Sequence, residues 1–352
     1  GTDARPGSQR AADPRLGPTD TGAGRFLMAA DPCSLRSRQC GAALLMAMLT
    51  VALVATMAAA ALWQQWRSVE IEARERERLQ ATWILIGALD WARLILREDA
   101  RSAGPDHLAE PWSIALREAR LSTFLAIERG GSELGDDAFL SGQITDAQAR
   151  LNITNLIVGN QISEPDREAF ARLFTQLGIP TTELDDLAAN LLRATGSGDK
   201  ADDSQAPIPL LAQRVAQLAW LGVSARSLAL LQPYIVVLPT RTQLNLNTAS
   251  AEAIAARIEG LDLSDARNLV NARNRAPFRT LSEISRIVPA AERLDPSQVG
   301  VATRFFEVEG RLRLHDTEVR ERSLVQRNGL GVTTVWRERT AADVTVPQAA
   351  TR

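Results

Sequence analysis

The sequence predicts an α+β fold in which a long N-terminal helix precedes a small antiparallel sheet, and a large all-α insertion interrupts that sheet. Three observations predict it. An uncharged apolar run occupies residues 41–63. Apolar residues recur at helical spacing from about residue 164 to 296. Two-residue alternation returns near the C-terminus in FFEVEGRLRL, TEVRERSLVQR and VTTVWRER.

Composition limits the classes of function. The chain has 352 residues, of which 45% are hydrophobic, and its 40 basic and 42 acidic residues give a net charge of -2. It can therefore bury a substantial core, and no overall field attracts nucleic acid or anionic lipid. Both cysteines, Cys33 and Cys40, precede the apolar run. The rest of the chain can fold in an oxidising compartment without disulfide chemistry.

The apolar run is long enough to span a membrane. As a helix, residues 41–63 measure about 35 Å, against about 30 Å of hydrocarbon. Arg36 and Arg38 precede the run, which favours a cytoplasmic N-terminus and export of the domain that follows. The alternative is a secretory signal peptide cut at the small residues 58–61, although the apolar region of such peptides normally has only about 7–15 residues.

The helix is expected to continue well beyond the apolar run. Residues 42–99 contain no proline and only one glycine, Gly87, so the sequence predicts one continuous helix. Its second half becomes amphipathic. The side chains predicted to pack on a globular domain are those of Trp83, Ile86, Leu89, Leu94 and Ile95.

The elements after this helix follow from local patterns. WSIALREARLSTFLAI predicts a second helix, and the alternation in QITDAQARLNI predicts two strands on either side of a turn at Thr145 and Asp146. The link at residues 196–209 is polar and flexible in composition. Asn328-Gly329 predicts a hairpin turn between C-terminal strands. The shared apolar faces predicted for the insertion are Phe170, Leu173, Phe174 and Leu177 on one helix, and Leu184, Leu187 and Leu191 on the next.

The start of the apolar run resembles the leader of type IV pilin-like subunits. RSRQCG followed at once by AALLMAML matches the pattern that prepilin peptidase recognises. The resemblance implies cleavage between Gly41 and Ala42, methylation, and retention of the apolar helix. Met28 would begin a short leader, and residues 1–27 look like upstream sequence. Most such subunits carry glutamate at the fifth mature position, which is Met46 here. Its absence fits a tip position, because a subunit with nothing above it has no neighbouring amine to neutralise.

A second resemblance is to the minor pseudopilin K family of the type II secretion system. Its motif corresponds in GQITDAQARLNITNL to Asp146, Gln148, Arg150, Asn152, Asn155 and Leu156. Asn245, Asn247, Thr248 and Ala249 resemble the start of the family's sterile-alpha-motif-like piece. The resemblance implies a pilin-like fold in a single-pass protein of the bacterial inner membrane, with a periplasmic C-terminal domain. It also implies a place at the pseudopilus tip that supports export of folded proteins across the outer membrane. The implied partners are minor pseudopilins I and J, other pseudopilins, the inner-membrane secretion platform and prepilin peptidase.

These patterns divide the chain into six predicted segments. They are an extension with leader at 1–41, a transmembrane helix at 42–65, the first part of the pilin-like domain at 66–155, an all-α insertion at 156–300, C-terminal strands at 301–340, and a tail at 341–352.

The insertion also resembles a DNA-binding helix-hairpin-helix, so a membrane-anchored DNA receptor is an alternative. Such hairpins present glycine N–H groups to phosphate, yet only Gly260 is present, and Asp262 and Asp265 would repel phosphate. The arginines that could still bind phosphate, as the DNA-binding alternative requires, are Arg267, Arg273, Arg275 and Arg279. The other interpretation is a helical module that serves only for packing. In it, Thr248 caps one helix, Ile254 and Ile258 form its apolar stripe, and Thr280 with Glu283 forms a capping box for another helix.

Catalysis has little support, although a tethered periplasmic enzyme is a third alternative. His107 and His315 are the only histidines, neither has ligand-like neighbours, and no nucleophile, phosphate-loop or zinc-protease motif occurs. The sequence predicts no enzyme and no certain cofactor. Calcium occurs in the family that the chain resembles. The best candidate ligands for it are Asp199, Asp202 and Asp203, in a pliable acidic loop.

Overall fold

A computed structural model describes residues 39–102, 104–125, 138–196, 208–288, 294–314 and 317–343. The chain divides into two compact units, Gly1–Glu70 and Ile71–Arg352. Helix α1 runs from Gln39 to Asp99 without interruption, which confirms the long N-terminal helix. In the first unit, residues 41–69 are exposed throughout. By length and composition, this helix can cross a membrane.

The second unit continues with a short strand, a short helix and a long strand. These are β1 (Leu116–Arg120), α2 (Leu121–Leu125) and β2 (Ala138–Asp146). The helix predicted over residues 112–127 is therefore wrong for residues 116–120. Cross-strand pairing decides the outcome: Leu116 pairs with Gly142, and the guanidinium of Arg120 lies 5.9 Å from the ring centroid of Phe139.

The insertion lies between β2 and the next long strand. Its helices are α3 (Glu164–Gln176), α4 (Thr181–Ala194), α5 (Ala225–Leu231), α6 (Ala251–Arg257), α7 (Leu263–Arg275) and α8 (Leu281–Ser285). Two-residue strands connect them: β3 (Leu151–Asn152), β4 (Ile157–Val158), β5 (Gln161–Ile162), β6 (Ile235–Val236), β7 (Leu244–Asn245) and β8 (Val299–Gly300). Short 3-10 helices occur at Ala100–Ser102, Pro111–Ser113, Ala147–Ala149, Ile153–Leu156 and Val215–Leu221.

One core holds the insertion together. Its predicted apolar faces are confirmed by the burial of Phe170, Leu173, Phe174, Leu184, Leu187 and Leu191, while Leu177 is half-buried. Two strands flanking a turn at Thr145 and Asp146 are not formed. Strand β2 runs through Asp146 into a 3-10 turn, and β3 pairs in parallel with β6.

The C-terminal strands complete the sheet. They are β9 (Phe305–Leu314), β10 (Thr317–Asn328) and β11 (Gly331–Asp343), and the antiparallel order is β1-β2-β9-β10-β11. The hairpin at Asn328-Gly329 is confirmed, because Asn328 pairs with Gly331 and Gly329 has φ of 55°. Strands β2 and β9 are direct neighbours, so residues 147–304 form an excursion between two paired strands.

The second half of α1 packs on one face of this sheet. Its buried residues recur at helical spacing: Ala81, Leu85, Leu89, Ala92 and Leu96. Leu89 is buried as predicted, and Ile86 and Ile95 are half-buried. The expectation for Trp83 and Leu94 is wrong, because they are 71% and 51% exposed on the opposite side of the helix.

Candidate functional site

The polar junction where the insertion leaves and rejoins the sheet is the candidate site. Asp146, at the end of β2, is buried and accepts three hydrogen bonds. The donors are the backbone N–H of Gln148 at 2.7 Å, the Asn245 amide at 2.8 Å and the Thr248 hydroxyl at 2.6 Å. Burial raises the pKa of Asp146, and these hydrogen bonds oppose the shift. The carboxylate therefore ties β2 to a turn about 100 residues later in the chain.

Two asparagines bind an extended segment of the insertion. Asn152 accepts from the N–H of Leu238 at 3.1 Å and donates to the carbonyl of Thr240 at 2.8 Å. Asn155 accepts from the N–H of Thr242 at 3.0 Å and donates to its carbonyl at 2.8 Å. A primary amide carries both a donor and an acceptor, so each side chain can substitute for a neighbouring strand.

Gln148 and Arg150 connect the same region to the strand that follows the insertion. Gln148 donates to the carbonyl of Gln243 at 3.1 Å and accepts from the N–H of Arg304 at 2.8 Å. Arg150 pairs with Glu307 at 2.7 Å, with both side chains mostly buried. The five motif residues thus lie together, and their polar groups are used to join chain segments.

The second motif turns directly beneath this junction. Asn245 accepts from the N–H of Asn247 at 3.0 Å, and Asn247 exchanges hydrogen bonds with the backbone of Phe278, both at 2.9 Å. Thr248 does not cap a helix as expected, because its hydroxyl is used by Asp146. Ser250 is the N-cap of α6 instead, and its hydroxyl accepts from the N–H of Ala253 at 3.2 Å.

The capping box expected at α8 is also absent. Thr280 occupies the N-cap position without a side-chain hydrogen bond, and Glu283 accepts from the N–H of Arg279 at 3.0 Å. Ile254 and Ile258 are both buried, which confirms the apolar stripe predicted for α6.

An ion-pair cluster lies at the end of α1. The guanidinium of Arg327 bonds to Asp99 at 2.7 Å, to Asp106, and to the carbonyl of Thr303 at 3.0 Å. It also lies 4.9 Å from the ring centroid of Phe306. Burial raises the pKa of Asp106 against the opposing effects of the Thr303 N–H and Arg327.

Glu110 completes an acidic group with Asp99 and Asp106, whose ligand oxygens lie within 4.8 Å of one another. It accepts from the N–H of His107 at 2.8 Å and from the indole of Trp112 at 2.7 Å, and burial raises its pKa. Arg327 supplies the positive charge of this group, so the geometry is that of a structural ion pair. Nδ1 of His107 accepts from the N–H of Ala109 at 3.2 Å. His315 lies outside the described residues.

The helix-hairpin-helix candidate presents a poor surface to phosphate. Asp262 is the N-cap of α7 and accepts from the N–H of Asp265 at 2.7 Å, so a carboxylate occupies the position of the phosphate. Arg273 is only 7% exposed and donates to the carbonyl of Leu246 at 2.6 Å. Burial lowers the pKa of Arg273 to about 10. The exposed arginines there are Arg267, Arg275 and Arg279.

Gly41, Ala42 and Met46 are exposed on the first turns of α1. The candidate calcium ligands Asp199, Asp202 and Asp203 lie outside the described residues. Sequence reasoning missed Asp106, Thr242, Gln243 and Arg327. They lie in no recognisable motif, and their partners are remote in the chain.

Comparisons with known proteins agree on one family. Two family models described as type II secretion system (T2SS), protein K, match residues 149–240 and 244–303. The type II secretion system protein K of Pseudomonas aeruginosa is 29% identical over 303 residues, covering 80% of this chain and 87% of the relative. The protein of that name from Pectobacterium carotovorum subsp. carotovorum is 27% identical over 336 residues, covering 86% of this chain and 97% of the relative.

A solved structure has the same fold. It is the crystal structure of the GspK-GspI-GspJ complex from the enterotoxigenic Escherichia coli type 2 secretion system. One of its chains matches with a TM-score of 0.59 and 18% identity, covering 76% of this chain and 98% of that chain. This likeness confirms the α+β fold.

Proposed function

The chain belongs to the type II secretion system protein K family and is a minor pseudopilin of that system, and from this premise we propose that it forms the tip of the periplasmic pseudopilus. At that position it supports export of folded proteins across the outer membrane. The observation that carries the proposal is the excursion of residues 147–304 between the paired strands β2 and β9. Such bulk would obstruct subunits stacked above it, and a tip subunit has none.

The junction makes this bulk a fixed part of the subunit. Asp146 and Gln148 bind the insertion near its entry, and Gln148 also binds Arg304 at its exit. A loosely tethered insertion could swing aside and let another subunit stack. An insertion held at both ends by buried hydrogen bonds keeps its place.

Membrane insertion and processing form the second part of the proposal. The N-terminus lies in the cytoplasm, prepilin peptidase cuts between Gly41 and Ala42, and the apolar helix stays in the inner membrane until assembly. A buried carboxylate in a bilayer costs about 2.5–3.5 kcal/mol on insertion scales unless a partner compensates for it. Met46 avoids this cost in a subunit that has no neighbour above.

Minor pseudopilins I and J are the proposed direct partners. The solved structure with this fold was determined as a GspK-GspI-GspJ complex, which supports the same partnership here. Other pseudopilins and the inner-membrane platform would contact the assembly below the tip. The family is a structural component of secretion, and we assign this chain an assembly role without catalysis.

Processing can be tested by co-expression of the full chain with prepilin peptidase, followed by N-terminal sequencing. The expected new N-terminus is Ala42. A Gly41→Leu variant is the matched control and should stay uncleaved. An uncleaved wild-type chain, or one cut near Ala60, would contradict the assignment.

Partnership can be tested with the purified full chain and the I and J proteins of the same secretion system. A complex that co-elutes at micromolar concentration is expected. Separate elution of all three would count against the tip assembly.

Calcium binding by Asp199, Asp202 and Asp203 stays a prediction. Calorimetric titration of the wild type and an Asp202→Asn, Asp203→Asn variant would test it.

A further inference from the structure

A cavity of about 290 Å³ lies between the second half of α1 and the sheet. Leu85, Ala88 and Ala92 line it on the helix side, and Gly142, Gly310 and Ser323 line it on the sheet side. Its lining includes residues from both apolar clusters by which α1 packs on the sheet. An engineered cavity of about 150 Å³ holds benzene, so this volume accommodates one substituted aromatic ring.

Two opposed glycines line the sheet side of the cavity. Gly142 and Gly310 are direct cross-strand partners on β2 and β9. A Cβ atom on Gly142 would lie 2.7 Å from the carbonyl oxygen of Glu309, and one on Gly310 would lie 3.1 Å from Leu85 Cδ2. Glycine at both positions therefore lets α1 approach the sheet closely, with Leu85 packed against Gly310.

One buried hydroxyl in the described lining of the cavity lacks a hydrogen-bond partner. Ser323 is 1% exposed, and its hydroxyl has no hydrogen bond among the described residues. The neighbouring buried carboxylate, Glu321, is already paired with Arg337 and Arg339. A buried hydroxyl without a hydrogen bond is unfavourable, so this site is built for a group that brings a polar atom to Ser323.

The mouth of the cavity carries exposed apolar side chains. Trp91 and Ile114 both line the cavity, and they are 51% and 72% exposed. A small molecule in the cavity would leave these residues in water. A protein surface would cover them, as occurs where an aromatic anchor is surrounded by a contact ring.

We propose that this cavity receives a tyrosine side chain from a partner polypeptide. The ring fills the cavity, and the phenol hydroxyl hydrogen-bonds to Ser323. Tyrosine is the side chain that places an O–H at the far end of a single ring. The identification of that polypeptide as another pseudopilin rests on the function proposed above. The chemistry of the cavity does not depend on it.

The cavity chemistry is tested with p-cresol, which reproduces the tyrosine side chain, and the full chain in lipid nanodiscs. Ligand-observed NMR should detect binding to the wild type and to Ala73→Phe, an exposed position on the same helix. It should detect none to Ala88→Phe, which fills the cavity. Partitioning into lipid is common to all three samples and cancels in the comparison. Equal signals from all three would overturn the proposal.

Ser323→Ala provides a variant with no added bulk. It should weaken p-cresol binding about threefold to tenfold and leave toluene binding unchanged, because only p-cresol uses the hydroxyl. Equal effects on both compounds, or none on p-cresol, would overturn the role of Ser323.

The partner is tested by co-elution with I and J. Ala88→Phe should weaken the complex at least tenfold relative to Ala73→Phe. If p-cresol binds the wild type but Ala88→Phe forms the complex as tightly as Ala73→Phe does, the anchor proposal is overturned. Failure of the wild type to form any complex, with p-cresol still bound, would overturn the proposed function and leave the cavity chemistry standing.

Discussion

At the scale of single residues, Arg327 joins the end of α1 to the start of β9. Its partners Asp99 and Asp106 have side chains that are 9% and 2% exposed. Arg327→Ala would leave two buried carboxylates without a cation, so we expect it to lower the free energy of unfolding by about 3–5 kcal/mol. Arg322 on the same strand is the control. It is 47% exposed beside Glu307, and its replacement by alanine should cost under about 1 kcal/mol. Urea unfolding of both variants in detergent, followed by tryptophan fluorescence, measures the difference, and equal losses would contradict the account.

The buried carboxylate of Asp146 predicts a dependence on pH. Its folded-state pKa is raised above the ordinary value of 3.8, so its contribution to stability is complete below that value and is lost as pH rises through the raised pKa. Asp146→Asn lacks this titration and should be less stable by about 1–3 kcal/mol at low pH, because its N–H group meets other donors. The deficit should narrow as pH rises from the ordinary pKa of 3.8 through the raised folded-state pKa of Asp146. A deficit that widens with pH would show that the pKa is lowered instead.

At the scale of elements, the two sides of α1 have different roles. Leu96 is fully buried against the sheet, whereas Leu94 is half exposed. Leu96→Ala should lower the free energy of unfolding by about 2–5 kcal/mol, because it leaves a cavity in a packed core. Leu94→Ala should change it by less than about 0.5 kcal/mol. Thermal unfolding of the pair tests the orientation of the helix, and a reversed order of effects would contradict it.

Elements with strong local signals could be predicted from the sequence. Helix α1 has no proline across residues 42–99, and the β10–β11 hairpin has Asn328-Gly329 at its turn. Strand β1 could not be predicted, because IALREARL also fits helical spacing. Its pairing with β2 depends on residues about 19–26 positions away. Trp83 and Leu94 were misassigned for a similar reason, since an apolar side chain on a helix does not show by itself which partner covers it.

The candidate site was likewise predictable only in part. The motif at Asp146, Gln148, Arg150, Asn152 and Asn155 could be recognised from a family resemblance. Its partners, such as Leu238, Thr242 and Thr248, lie about 85–100 residues later in the chain. No local pattern reports contacts at that separation. The sequence shows these residues only as a family signature. The structure shows that they form the hydrogen bonds that fix the insertion on the sheet.

At the scale of the whole molecule, the central proposal is that this chain ends the pseudopilus. The most direct measurement places an epitope tag in the exposed turn at Gly159 and Asn160, between β4 and β5, and images assembled pseudopili with gold-labelled antibody. A tagged body pseudopilin is the control and should be labelled along the filament. The account predicts one label at one end of each filament for this chain. Labels distributed along the length would contradict it.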